Sequence, residues 1–285
     1  MKTHDVIGGG GVRLHVREWG SNTGPSLLLI HGWSQNHLCW RYQYESALSE
    51  EFRIVAFDLR GHGMSEAPPG EELYTRGELW ADDVAAIIDQ LRLDRPILVG
   101  WSYGGFVICD YLRSYGAKNI SGINFVAAAV TLNRSALGTL IGPGLTNHAA
   151  GATVDDLPTN IRTMRSFVRA CISSPLPADE LESIICWNIV VPSRVRAALI
   201  NRDIDSDDVL RELRVPVLVT QGQEDQVILP AMGQHILDVC PGAITSWFPA
   251  VGHAPFLEEP ERFNTELAEF ARTVGRRARA AAISA

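Results

Sequence analysis

Ser102 lies between two glycines in Gly100-Trp101-Ser102-Tyr103-Gly104. A serine in Gly-x-Ser-x-Gly is a candidate nucleophile where a strand turns sharply into a helix, because that turn strains the middle residue and admits only small neighbours. Both flanks are present. Residues 96–99 form a short apolar run suited to a buried parallel strand. Phe106, Val107, Ile108, Tyr111 and Leu112 suit a buried helix whose positive end would face the serine oxygen. A serine hydroxyl attacks poorly at neutral pH unless an imidazole takes its proton. His253, in Val251-Gly252-His253-Ala254-Pro255, follows a predicted strand at 243–248, and Asp225 follows another at 215–220. Alone, a loop histidine or an aspartate after a strand is usually structural. In the order Ser, Asp, His, each just past a strand end, the three meet at the carboxyl edge of one sheet, where open α/β sheets place their sites. Glu224 is a rival for the acid position.

A second loop supports the first. Ser26–Ile30 is a fully apolar predicted strand ending in His31-Gly32-Trp33. In a serine hydrolase of this architecture, the backbone N–H of Trp33 and that of Tyr103 would hold the developing oxyanion, and Gly32 would let the loop approach closely. His31 reads as a structural loop residue. Asp58 and His62, within the glycine-rich stretch 58–65, read as groups that hold a tight loop.

The elements that must position these residues follow from periodicity. Val12, Leu14 and Val16 alternate with Arg13, His15 and Arg17, which predicts a half-exposed strand with His15 on the surface. A helix is expected over 40–48 and a strand over Arg53–Phe57. Thr75-x-x-Glu78 has the form of a capping box. Trp80, Val84, Ile87, Ile88 and Leu91 then fall on one helical face. A further strand is expected within 120–130. This alternation predicts an α/β fold, a mostly parallel twisted sheet with helices on both faces. From Thr131 the alternation stops and turn signals multiply, with short helical stretches at 161–172 and 178–189. Residues 131–212 therefore read as a helical cap inserted in a core made of 1–130 and 213–285. After the returning strand come a helix over 232–239 and a last helix opening at Pro260, with a solvated basic tail over 272–279.

The chain has 285 residues, 46% of them hydrophobic, and a net charge of −8 with scattered basic residues. That composition supports a sizeable core and argues against nucleic acid as the main partner. No run approaches the roughly 18 apolar residues of a membrane span. The first twelve residues lack the apolar segment of a signal peptide. The five scattered cysteines, with no CxxC pair, suggest reduced thiols in a cytoplasmic protein. The glycine run 8–11 lacks nucleotide-binding spacing and no strand is expected before it. Neither HExxH nor a comparable His/Asp cluster appears, so no metal or other cofactor is expected.

With these pieces in place, the chain resembles the α/β-hydrolase fold family over nearly its whole length. The resemblance rests on His31-Gly32-Trp33, residues 58–65, Gly100 to Gly105, Gly222 to Asp225, and Gly252-His253-Ala254-Pro255 with Glu258-Glu259-Pro260 behind it. Within the family it is similar to the small cofactor-free haloperoxidase and carboxylesterase group. The resemblance implies Ser102 as nucleophile, His253 as base, Asp225 rather than Glu224 as its orienting acid, and the N–H groups of Trp33 and Tyr103 as oxyanion donors. Sister activities that use an aspartate nucleophile, cap tyrosines or a cap lysine do not fit: the elbow holds Ser102, residues 131–212 contain no Tyr, and the only lysines are Lys2 and Lys118. What remains is hydrolysis of a small-molecule carboxylic ester or lactone through an acyl-serine, with acyl-homoserine or macrolide lactones as cyclic possibilities. The alternatives are a perhydrolase or haloperoxidase-like reaction using the same triad, and a non-catalytic receptor of the same fold. Trp101, Phe167 and Trp187 are candidate substrate-pocket residues, although packing would also explain Phe167 and Trp187.

Overall fold

In the computed structural model, residues 1–21 and 24–284 are described, the last eight by backbone alone. Eight strands form one sheet: β1 (Lys2–Ile7), β2 (Arg13–Gly20), β3 (Ser26–Ile30), β4 (Arg53–Phe57), β5 (Ile97–Trp101), β6 (Gly122–Val126), β7 (Val217–Gly222) and β8 (Ile244–Phe248). Their spatial order is β1-β2-β4-β3-β5-β6-β7-β8. β1 and β2 pair antiparallel, as do β2 and β4, and every other pairing is parallel. β3, β5 and β6 are buried at every position. A strand covered on both faces reads as an unbroken apolar run, which is why these strands are legible in the sequence.

Alternate side chains of β3 enter two different cores. Leu28 and Ile30 join Phe57, Leu98 and the helices α1 (Gly77–Gln90) and α2 (Gly104–Tyr115). Leu27 and Leu29 join Trp40, Phe52, Phe256 and the last helix, which begins at Pro260 with Phe263, Leu267, Phe270 and Val274 inward. The helices therefore cover both faces, as expected.

Several local expectations fail. A strand does precede the glycine run: β1 is a polar edge strand in which only Val6 is buried. β2 then lies between β1 and β4, and His15 is buried rather than on the surface. The helix over 40–48 is broken into a 3₁₀ turn (His37–Trp40) and two four-residue helices, Arg41–Tyr44 and Leu48–Glu51. Thr75 ends a short helix, Glu72–Thr75. Arg76, with no side-chain cap, takes the N-cap of α1, so no capping box forms. Arg272 pairs with Glu51 at 2.6 Å, while the side chains of Arg277 and Arg279 lie outside the described residues.

Between β6 and β7 the chain makes three longer helices, α3 (Leu157–Ala170), α4 (Ala178–Val190) and α5 (Ser193–Ile200). It leaves and rejoins the core through a two-residue antiparallel ribbon in which Thr131 faces Asp205 and Leu132 faces Ile204. No single helix among the described residues is long and apolar enough to cross a membrane.

Candidate functional site

Ser102 stands at the end of β5 with φ of 55°, in the left-handed region that non-glycine residues seldom occupy. The strain is held by three backbone hydrogen bonds. Its N–H donates to Val126 (3.0 Å), and its carbonyl accepts from Gly105 (2.9 Å) and Ala129 (3.0 Å). A Cβ at Gly104 would lie 2.5 Å from the carbonyl oxygen of Ile30, so a larger residue there would force β3 and the elbow apart. The sequence-predicted strand–turn–helix context is thus present.

His253 and Asp225 meet at the same sheet edge. Nδ1 of His253 donates to Oδ2 of Asp225 at 2.8 Å, with both residues buried. Because the carboxylate accepts at Nδ1, the lone pair of the neutral ring is left at Nε2. Asp225 is fixed by its own loop: Oδ1 accepts the N–H groups of Val227 (2.8 Å) and Ile228 (3.0 Å), and Oδ2 also accepts from Gln221 Nε2 (3.1 Å). Glu224 is exposed, so Asp225 is the carboxylate that reaches the histidine. A hydrogen bond between Ser102 Oγ and His253, expected from the sequence, is not among those the described residues form. Nucleophile–base contacts commonly tighten only when substrate is bound.

Residues 31–33 lie against the serine. A Cβ on Gly32 would come within 3.0 Å of Ser102 Cβ and 3.5 Å of its Oγ, so a side chain there would press tightly on the serine. Among the described residues, no hydrogen bond within the fold uses the N–H of Trp33 or of Tyr103. The loop is braced by two buried histidines. Leu59 N–H donates to His31 Nε2 (3.0 Å) and Ser34 N–H donates to His62 Nε2 (3.2 Å). Burial is the main force lowering their pKa values, to about 3 for His31 and about 4 for His62, so both stay neutral and accepting. This agrees with their reading as structural residues. So does Asp58, whose oxygens accept the N–H and Nδ1 of His37 (both 2.7 Å) and the N–H of Met64 (2.8 Å). Burial works against the Asp58 charge, but His37 and the backbone donors hold its pKa below the ordinary value.

The fold also brings together groups that sequence spacing does not reveal. Ligand-capable atoms of His15, His37 and Asp58 lie within 4.8 Å of one another, a His/Asp cluster the sequence reading did not expect. Both oxygens of Asp58 already accept hydrogen bonds, two at Oδ1 and one at Oδ2. Arg202 donates to both oxygens of Asp110 (2.8 and 2.9 Å) and to the hydroxyl of Tyr103 (3.1 Å), tying the end of the helical stretch to the elbow.

Two cavities separate the three candidate pocket aromatics. One contains Ser102 and is lined by Trp33, Phe106, Leu132, Ile141, Phe167 and Val227 among other apolar residues. Phe167 meets Trp33 edge-on at 5.1 Å. Trp101 and Trp187 instead line a second cavity beside Phe256. Trp187 Nε1 donates to Gln35 (2.8 Å), and Trp101 Nε1 donates to the His253 carbonyl (2.7 Å).

The geometry has close counterparts. A model of the alpha/beta hydrolase family matches residues 27–266. The esterase RhEst1 from Rhodococcus sp. ECU1013 superposes with a TM-score of 0.90 at 34% identity, covering 96% of this chain and 100% of that one. The esterase EaEST from Exiguobacterium antarcticum gives 0.82 at 26% identity, covering 95% and 100%. The bifunctional esterase/perhydrolase DCH of Acinetobacter calcoaceticus is 26% identical over 279 residues, 92% of this chain and 97% of that protein. The chain belongs to the alpha/beta hydrolase family.

Proposed function

We propose that this protein hydrolyses carboxylic esters or lactones with a neutral, apolar acyl group, through an acyl-enzyme on Ser102. The observation that carries this reading is the buried His253–Asp225 pair at 2.8 Å, set at the same sheet edge as a serine held in the left-handed conformation. His253 Nε2 takes the Ser102 proton as Oγ attacks the carbonyl carbon. Asp225 fixes the tautomer and stabilises the imidazolium. The N–H groups of Trp33 and Tyr103 receive the oxyanion, an interaction whose loss costs about 3–4 kcal/mol in comparable sites. The imidazolium then protonates the leaving alcohol, and a water activated by the same ring cleaves the acyl-serine. The predominantly apolar lining beside Ser102 supports an uncharged acyl group, since a carboxylate buried there would find no charged partner. Residues 131–212 act as a cap: Phe167 packs on Trp33, and Ser34 and Gln35 bond to Asn188 and Trp187.

Likeness to an esterase/perhydrolase favours a second outcome at the same site, in which hydrogen peroxide replaces water as acyl acceptor and releases a peracid with free Ser102. The five free cysteines suit a cytoplasmic setting. A panel of aryl esters, alkyl esters and lactones tests the reading, with and without peroxide. Turnover abolished in Ser102→Ala is expected, and turnover that persists there would refute it. Tight ligand retention without turnover would instead favour a receptor.

A further inference from the structure

We propose that Glu258 is a positioning residue for His253, acting as a latch that ties the 171–174 segment to the histidine loop. This inference rests on the hydrolase reading above. Glu258 ends the four-residue helix Pro255–Glu258, five positions after the histidine. Its two oxygens are shared between two segments. Oε1 accepts the N–H of Gly252 (2.9 Å), the residue immediately before His253. Oε2 accepts the N–H groups of Ser173 (2.8 Å) and Ser174 (3.0 Å), just beyond α3. Charge-assisted bonds to an ionised carboxylate are roughly twice as strong as neutral ones.

Two further contacts close the same junction. The N–H of His253 donates to the carbonyl of Cys171 at 2.8 Å. A Cβ on Gly252 would lie 3.0 Å from the Cys171 oxygen and from the nitrogen and Oγ of Ser173, so the two backbones are in direct apposition. The backbone on the N-terminal side of the imidazole is therefore fixed to the helical insertion, with one carboxylate answering three N–H groups that have no other acceptor among the described residues. Movement of 171–174 must carry Gly252 and His253 with it.

The consequence is sharpest in the step where His253 gives up its proton. A p-nitrophenolate departs without protonation, whereas an alkoxide needs the imidazolium placed at its oxygen. In Glu258→Gln one acceptor oxygen becomes an amide N–H facing a backbone N–H, with almost no change of volume. For esters sharing one acyl chain, kcat/KM for the alkyl ester should fall about tenfold further than for the p-nitrophenyl ester, in line with the cost of misplacing a catalytic group. Glu259→Gln removes a surface partner of Arg262 and should leave both rates unchanged. Equal losses for the two esters, the signature of less folded enzyme, or no loss at all, would overturn the latch. Amide hydrogen exchange reads it without turnover: Gly252, His253, Ser173 and Ser174 should exchange faster together in Glu258→Gln, and unchanged protection would refute it. Wild-type protein that turns over neither ester contradicts the hydrolase reading, while the exchange result still decides the latch.

Discussion

The indole N–H of Trp101 donates to the backbone carbonyl of His253 at 2.7 Å, with the two rings 5.4 Å apart. The residue that precedes the serine thus holds the loop that carries the histidine. Trp101 also packs on Phe256, edge-on at 4.8 Å, and both are buried. The strand end at Ser102 and the loop that carries His253 are therefore tied together through one buried aromatic.

Replacing Trp101 by Phe keeps most of the apolar volume and leaves the His253 carbonyl without its donor. A buried acceptor deprived of its partner costs about 1–3 kcal/mol. Chemical denaturation should show a loss of that size. The kcat should fall more than KM rises, because the change acts on the histidine rather than on the pocket. A variant with wild-type kcat would remove Trp101 from this role.

Acid should loosen the loop that His31 and His62 brace. His31 and His62 have folded-state pKa values lowered to about 3 and about 4 by burial, against about 6.5 when unfolded. Between those values the unfolded chain binds more protons than the folded one, so stability rises with pH and is lost as pH falls from about 6.5 towards 4. Each histidine contributes a slope of about 1.4 kcal/mol per pH unit in that window. In His62→Gln, which removes one titrating ring, the dependence measured by thermal unfolding from pH 7 to 4 should be shallower. An unchanged slope would count against this account.

Phe167 closes the apolar cavity at Ser102. Phe167→Ala should cost about 3–5 kcal/mol, as for other buried aromatics cut to Ala. It should also move the best acyl chain in an ester series to a bulkier one. A retained chain-length optimum would place the acyl group elsewhere.

Two Arg–Asp pairs should behave differently when one partner is neutralised. Arg202–Asp110 is buried, and Arg202 also holds the hydroxyl of Tyr103. Asp110→Asn should destabilise by about 3–5 kcal/mol, because it strands a buried charge. Arg113–Asp208 is exposed, and Asp208→Asn should cost under about 1 kcal/mol. Paired denaturation curves make the comparison.

Legibility in the sequence follows burial. β3, β5 and β6 announce themselves because both faces are covered, and the elbow does so because its strain demands glycine neighbours. β1 is hidden because an edge strand with only Val6 buried carries no apolar pattern. His15 looks exposed by alternation, yet the 3₁₀ turn His37–Trp40 packs over that face of β2, with the His37 ring 5.4 Å from that of His15. Ser102, Asp225 and His253 are readable by order and strand position, and the structure brings the last two into contact. Partners far apart in the chain leave no local signal: Arg202 meets Asp110 across 92 residues, and Glu258 meets Ser173 across 85. The shape of the pocket is hidden for the same reason: the packing of the insertion places Phe167 in one cavity and Trp101 and Trp187 in another.

The central claim is that Ser102 is a nucleophile activated by His253. Mass spectrometry after exposure to a fluorophosphonate tests it most directly, comparing wild type with His253→Ala, with folding checked by circular dichroism. The account predicts one label per chain on the peptide carrying Ser102, formed at least about a hundredfold more slowly without the imidazole. A folded wild-type protein labelled at another residue, or labelled at Ser102 equally fast without His253, would contradict it.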